Sequence, residues 1–447
     1  MISTIVSFVL VLGILIFFHE LGHYLVARRS GIVVEEFGMG YPPRAAKLFT
    51  FQGTDFTLNW IPFGGFARMK GEDATDMSPG SFNAASALGR ALTLVAGPAM
   101  NFILAILFFA FSFMAGFPAA AATPELGNVP AGSLAAQVGL QSGDVLLQQG
   151  DRAVLVSAEP DLAAKSTDTE QPGADLTVLR QGGMVTLAVP EGATTADLLA
   201  DVSFSGVLNT RIFVVSENSP AYDAGILAGD RVYAVNGTVI TPEISLSQEI
   251  ARYAGQEMTM TVLRDGKLLD LKMTPRLNPP PGEGAVGVGI ESASSLATMP
   301  FLQALSEGLF FTWDYITFMV RMPFDALRGA LAPGQADLVG PIGIAQMVGD
   351  AVSATVQTGL WYPIWRLSAI LSAALAITNL LPIPALDGGR LVFILVEVLR
   401  GKRVSPEREG MVHMVGFVVL LGLMVLITFR DINTTRVGLD WVQLLGQ

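Results

Sequence analysis

The run His19-Glu20-Leu21-Gly22-His23 carries residue types at a spacing that could do hydrolytic chemistry. On a helix, positions four apart lie on one face a turn apart, so two imidazoles placed there can share one tetrahedral zinc ion. Glu20 is adjacent and can take a proton from a water that the metal activates near neutral pH. The chain has no cysteine and only three histidines, the third being His413. Thiolate ligation is therefore excluded, and a carboxylate is a better third ligand than the distant His413. Asp387, in Leu386-Asp387-Gly388-Gly389, is the candidate; the competing reading is an Asp that caps a helix ahead of the glycine pair.

Membrane spans must position these residues. Hydrophobic residues make up 51% of the chain and charged ones 15%, with the apolar residues clustered. Four stretches are long enough to cross a bilayer: about Ile2 to Ala27, Ala91 to Phe117, Tyr362 to Leu386, and Met411 to Phe429. A cleaved signal peptide fits the first poorly, because no positive charge precedes it and no small-residue cleavage site follows. Two histidines and a glutamate inside such a span are costly, which favours a functional reading. Gly22 lets another backbone or a substrate approach this helix closely. Arg28, Arg29, Arg44, Lys47, Arg68, Lys70 and Arg90 lie between spans one and two; Arg390, Arg400, Lys402, Arg403 and Arg408 follow span three. Both loops are expected in the cytoplasm and the acid-rich segment between spans two and three outside, with both termini outside. Arg430 and Arg436 run against this bias but are mixed with Asp431 and Asp440. Spans one and three then run the same way, with the histidines and Asp387 near their cytoplasmic ends. Residues 301–331 are apolar but carry Glu307, Asp314, Arg321, Asp325 and Arg328, which favours an amphipathic helix on the membrane surface over a fifth span. A net charge of −12 argues against a nucleic-acid partner.

The segment between spans two and three is duplicated. Gly139-Leu140-Gln141-Ser142-Gly143-Asp144 matches Gly225-Ile226-Leu227-Ala228-Gly229-Asp230, and Thr177-Val178-Leu179-Arg180 matches Thr261-Val262-Leu263-Arg264. Pro130-Ala131 and Pro220-Ala221 precede the two Gly-Asp pairs, and Arg231 to Val235 reads as a strand ending in the turn Asn236-Gly237. The pattern resembles tandem PDZ domains, the first copy departing from it with Gln149-Gly150-Asp151 where the second has Asn-Gly. PDZ domains bind extended peptides by adding a strand to a sheet edge, which implies ligand binding or size filtering; the alternative is a pair of spacers. Within span three, Pro382 and Pro384 break the helix before Asp387, freeing backbone groups that must find partners in the site. Those groups and Asn379 could hold an extended substrate; Asn379 is otherwise a helix–helix hydrogen bond.

Together these residues resemble the site-2 protease family of intramembrane zinc proteases, in its bacterial RseP-type branch. The resemblance covers nearly the whole chain. It rests on His19-Glu20-Leu21-Gly22-His23, Leu386-Asp387-Gly388, Gly97-Pro98-Ala99-Met100-Asn101-Phe102, the tandem repeat, and Val339-Gly340-Pro341-Ile342-Gly343-Ile344-Ala345. Glu36 to Gly40 and Ile61 to Phe66 resemble the family's membrane-associated β region, which presents substrate as an extended strand. The resemblance implies zinc ligands His19, His23 and Asp387, a catalytic base Glu20, and substrate-binding residues Asn379, Pro382, Pro384, Gly64 and Gly65. It also implies regulated intramembrane proteolysis of an anti-sigma factor after a first cut, and of signal-peptide remnants. The location implied is the bacterial inner membrane, with periplasmic PDZ domains and an active site near the cytoplasmic side.

The expected architecture is a polytopic α-helical membrane protein of four transmembrane helices, with a membrane-associated β region and two extracytoplasmic PDZ-like α+β domains. Residues 1–117 hold the first two spans and the β loop, 118–205 and 206–280 the PDZ-like copies, 281–360 the amphipathic surface segment, and 361–447 the last two spans. Two other function classes compete with the protease. A non-catalytic PDZ scaffold with a structural metal has no use for Glu20, and a zinc transporter is expected to show repeated spans and charges along a path.

Overall fold

The computed structural model describes residues 2–72, 76–150, 152–157, 171–280, 283–292, 294–328, 339–433 and 441. Asp151, Leu331, Arg436 and Asp440, used in the sequence reading, lie outside the described residues. The chain divides into two compact units, Met1–Ala115 with Pro300–Trp441, and Gly116–Met299 with Val442–Gln447.

The first unit begins with α1 (Ile2–Arg29), an apolar helix interrupted by His19, Glu20 and His23 that closes on Arg28 and Arg29, which suit the negative end of the helix dipole. Two long bent strands follow, β1 (Val34–Phe51) and β2 (Thr54–Met69), and then α2 (Ala87–Met114), whose N-cap Ser86 accepts from the Gly89 amide. Each strand folds back on the other. Phe37 pairs with both Phe56 and Ala67, while Lys47 pairs with Thr57. The result is a four-stranded sheet in the order 44–51, 54–59, 34–41, 61–69, so the segment 61–69 is an edge. Phe37, Tyr24, Ala67, Met69, Leu94 and Ile394 form the buried core between this sheet and the helices.

Glu36 ties the sheet together from inside. Its carboxylate is buried and accepts from Thr57 Oγ1 at 2.8 Å and Arg44 Nη2 at 2.6 Å, with Arg68 Nη2 at 2.8 Å. Burial alone would push its pKa up, but the Thr57 hydroxyl and the two guanidiniums prevail and hold it below the ordinary carboxylate value. A depressed folded-state pKa stabilises the sheet above the unfolded value and ceases to do so as pH falls through the folded one. Hydrogen exchange of the 34–69 amides should therefore accelerate as pH is lowered below the ordinary carboxylate range, once corrected for intrinsic rates. In Glu36→Gln the exchange should already be faster at neutral pH and its acid dependence flatter; an unchanged profile would refute this role.

The second unit is built from two similar halves. The first comprises β3 (Phe117–Leu126), α3 (Leu134–Val138), β4 (Val145–Gln149), β5 (Arg152–Ala153), β6 (Val156–Ser157), β7 (Leu176–Arg180), β8 (Gly183–Leu187), α4 (Thr195–Leu199) and β9 (Phe204–Val207). The second comprises β10 (Thr210–Val215), α5 (Pro220–Asp223), β11 (Arg231–Val235), β12 (Thr238–Val239), α6 (Leu246–Ala251), β13 (Met258–Arg264), β14 (Lys267–Met273) and β15 (Val288–Ser292), with β16 (Ser294–Ala297) returning to pair with β3. The sheets run β16-β3-β4-β7-β8 and β14-β13-β11-β10-β15. The sequence repeat is a repeat of hydrogen bonds. Arg180 grips Asp144 at 2.7 and 2.6 Å, and Arg264 grips Asp230 at the same two distances. Each guanidinium also donates at 2.8 Å to a glycine carbonyl, Gly139 or Gly225. Both aspartates are 1% exposed, so each buried charge needs its bidentate partner. Val145, Leu147, Leu179, Val207, Leu208 and Leu263 form a core shared by the two halves.

The first unit resumes with α7 (Phe301–Leu327), α8 (Pro341–Thr358), α9 (Tyr362–Leu380), α10 (Asp387–Arg400) and α11 (Pro406–Asn433). Four helices among the described residues are long and apolar enough to cross a membrane: α1, α2, α9 and α11. The third span ends at Leu380, not Leu386 as expected. Leu381 is extended, as a residue before proline prefers, and 381–386 run irregularly until α10 starts at Asp387. The expected amphipathic segment 281–360 is not one surface element: it holds β15 and β16 of the second unit, then α7 and α8. The charged apolar stretch forms α7, with Phe311 against Phe109 and Phe113 of α2. A Cβ on its Gly308 would run into the Ile106 carbonyl, which marks a close helix–helix approach.

Candidate metal centre

Two elements far apart in sequence deliver three ligand atoms: His19 and His23 from α1, and Asp387 from the first turn of α10. The histidines are 8% and 6% exposed. His19 Nε2 lies 3.1 Å from His23 Nε2, and Asp387 Oδ2 lies 3.2 Å from the first and 3.4 Å from the second. Zinc ligated tetrahedrally at about 2.0–2.1 Å places its ligand atoms about 3.3 Å apart, so the three atoms already form one face of such a tetrahedron. Asp387 Oδ2 is buried and makes no hydrogen bond among the described residues. A carboxylate oxygen held in this way needs a cation, and the donor set of two imidazoles and a carboxylate suits zinc.

The surroundings turn the lone pairs inward. His23 Nδ1 lies 2.8 Å from the Thr93 carbonyl of α2. A carbonyl only accepts, so Nδ1 carries the proton and Nε2 keeps its lone pair. His19 Nδ1 faces the Asn101 amide at 3.2 Å, and the Asn101 oxygen is buried with no partner among the described residues. Amide orientation is decided by hydrogen bonding. With Oδ1 toward His19, the oxygen accepts from Nδ1–H, and His19 Nε2 is freed as a ligand. Ser372 of α9 donates at 2.8 Å to the Asn101 backbone carbonyl and ties α9 to the same turn of α2.

Glycines let α1 and α2 meet at this level. A Cβ on Gly22 would strike the Ala96 carbonyl, and one on Gly97 would strike the His23 and His19 Nε2 atoms. Glu20 points the other way, toward β2, where its Oε2 accepts from the Ala67 amide at 3.0 Å. The sheet edge 61–69 therefore borders the centre.

A cavity of about 600 Å³ opens on the triad and is lined also by Glu20, Asn379 and Gly65. Pro382 and Pro384 are not in its wall. They end α9 and shape the turn before Asp387, and Pro384 packs where a Cβ on Gly416 of α11 would be. Gly64, left-handed at φ 81°, lines an adjoining apolar cavity of about 340 Å³ beside Leu10 and Ile14. His413 stands apart from the triad. Its Nδ1 accepts from the Ala385 amide at 2.8 Å. Sequence reasoning did not assign Thr93, Asn101 or Ala67 a part in the centre. A buried amide in the middle of an apolar span is a signal for Asn101, whereas Thr93 and Ala67 act through backbone groups that any residue supplies.

A model of peptidase family M50 matches residues 7–423. The chain is 29% identical to the "Zinc metalloprotease RasP" of Geobacillus kaustophilus (strain HTA426), over 96% of this chain and 98% of that protein. It is 30% identical to the "Regulator of sigma-E protease RseP" of Escherichia coli (strain K12), with the same coverage of each.

Proposed function

Since the chain belongs to peptidase family M50 and is a zinc metalloprotease, we propose that it cuts the membrane-spanning segments of other proteins at the centre formed by His19, His23, Asp387 and Glu20. The observation that carries this reading is the mutual 3.1–3.4 Å spacing of three ligand atoms, two of them on an apolar helix long enough to span the bilayer. Zinc supplies Lewis-acid chemistry: it makes water nucleophilic near neutral pH and polarises the bond to be cut.

The chain's own residues do the rest. His19, His23 and Asp387 hold the metal. Glu20, fixed by the Ala67 amide, takes the proton of the attacking water and returns it to the leaving amine. A helical substrate hides its carbonyls, so it must unwind first. The edge 61–69 carries no further strand among the described residues, and a substrate laid along it as an added strand regains its backbone hydrogen bonds. Gly65 and Asn379 border that path, Gly64 leads into it from the apolar cavity, and Pro382 and Pro384 shape the turn that brings Asp387 to it.

The Lys and Arg between spans one and two and after span three support a reading in which the sheet and the centre face the cytoplasm of a bacterial inner-membrane protein and the duplicated segment is periplasmic. The halves of that segment act as PDZ-like domains, 118–205 and 206–280, that engage or filter substrate ectodomains. The substrates in this reading are single-span proteins, an anti-sigma factor already trimmed by a first protease, and signal-peptide remnants. Co-reconstitution with such a substrate tests the reading. Zinc-dependent fragments cut within the span are expected, and a cut confined to the ectodomain would sink it.

A further inference from the structure

Beside the metal centre lies a second chamber, of about 450 Å³, bounded by the loop before α2 and by α2, α10 and α11. It adjoins the centre's cavity, and Glu72, Leu94, Ala385 and Arg390 line both. The apolar cavity adjoins the centre on another side, sharing Glu20 and Gly65 with it. The three spaces are thus neighbours, one apolar and one lined by charged side chains, with the centre's cavity bordering both.

The charged chamber holds two hydrogen-bond donors with no acceptor among the described residues. Arg90 is 5% exposed and spends Nη2 on Glu397 Oε1 at 2.6 Å, while its Nε is buried with no partner among the described residues. His413 accepts from the Ala385 amide through Nδ1, so its neutral ring carries the proton on Nε2. That Nε2 is also buried and without a partner among the described residues. Both side chains line the chamber. Buried donors are nearly always satisfied in a native fold, so two orphans on one cavity point to an acceptor that arrives from outside.

We propose that this chamber is a subsite for the substrate segment on the cytoplasmic side of the cleaved bond, and that Arg90 and His413 select a side-chain oxygen, a carboxylate above all, within that segment. The inference rests on the intramembrane reading above. A spanning segment regains polar residues where it leaves the lipid, and a charge-assisted bond from a guanidinium favours a carboxylate.

The test is a panel of single-span substrates carrying Asp, Ala or Lys at each of the first few positions after the cleaved bond. At one position the wild-type chain should prefer Asp to Lys by about tenfold in kcat/KM, the worth of a hydrogen bond to a charged group. His413→Asn keeps an oxygen for the Ala385 amide but withdraws the outer donor. Arg90→Lys keeps a cation against Glu397 but removes Nε–H. Each should narrow the preference, through KM rather than kcat, and the pair should bring it to about one; His413→Gln, which restores an N–H, should recover part. A flat wild-type profile over a cleaved panel means that the donors hold only water and overturns the subsite. A preference that survives both substitutions overturns it as well. A wild-type chain that cleaves none of the panel overturns the intramembrane reading, and this inference with it.

Discussion

Glu20→Gln should lower kcat for cleavage of a membrane-reconstituted substrate by about 10³-fold, within the usual worth of a positioned general base. The substitution keeps the shape and the carbonyl oxygen that accepts from Ala67, so the contact between α1 and the sheet edge survives. It removes only the capacity to take a proton. KM should hardly move, because no ligand to the metal has changed and the glutamine fills the same place in the cavity wall. Zinc content should equal that of the wild type, since Glu20 is not among the three atoms that face one another. Rate and metal content measured on the same preparation separate the possibilities. Loss of both would mean that Glu20 holds the centre together and is not its base. Full activity with full zinc would remove Glu20 from the chemistry altogether.

What could be read from the sequence follows a physical line. Spacing along one helix is local, so His19 and His23 announced a shared face before any fold was known. Asp387 followed by elimination, in a chain without cysteine whose remaining histidine is remote. The duplication was equally legible, because Asp144–Arg180 and Asp230–Arg264 each join two segments that recur at nearly the same offset. What stayed hidden depends on pairing at a distance. Nothing local says that Phe37 faces both Phe56 and Ala67, so two long strands became four segments of sheet only in the folded chain. The carbonyl of Thr93 and the amide of Ala67 orient His23 and Glu20, yet backbone groups carry no residue signature. α10 went unread between spans three and four, although Leu391, Ile394, Leu395 and Val398 repeat at helical spacing after Pro382 and Pro384.

Asp387→Ala should empty the centre. Two imidazoles alone leave zinc with two protein ligands, below the three that catalytic sites retain. Removal of an outer-shell partner typically weakens metal binding 10- to 100-fold, and loss of a direct ligand should exceed that, by at least about 100-fold. The fold has little else to lose. Asp387 occupies the first turn of α10, where its charge also favours the helix dipole. The tie between Arg390 and Glu72 holds the start of the same helix independently. Metal analysis after equilibration with a competing chelator should then find zinc in the wild type and almost none in Asp387→Ala, with thermal unfolding nearly unchanged. Asn101→Ala supplies the contrast. It leaves all three ligand atoms and removes only the group that orients His19, so its loss of affinity should fall in the smaller, outer-shell range. An Asp387→Ala protein that retained zinc as tightly as Asn101→Ala would place the third ligand elsewhere and detach α10 from the chemistry.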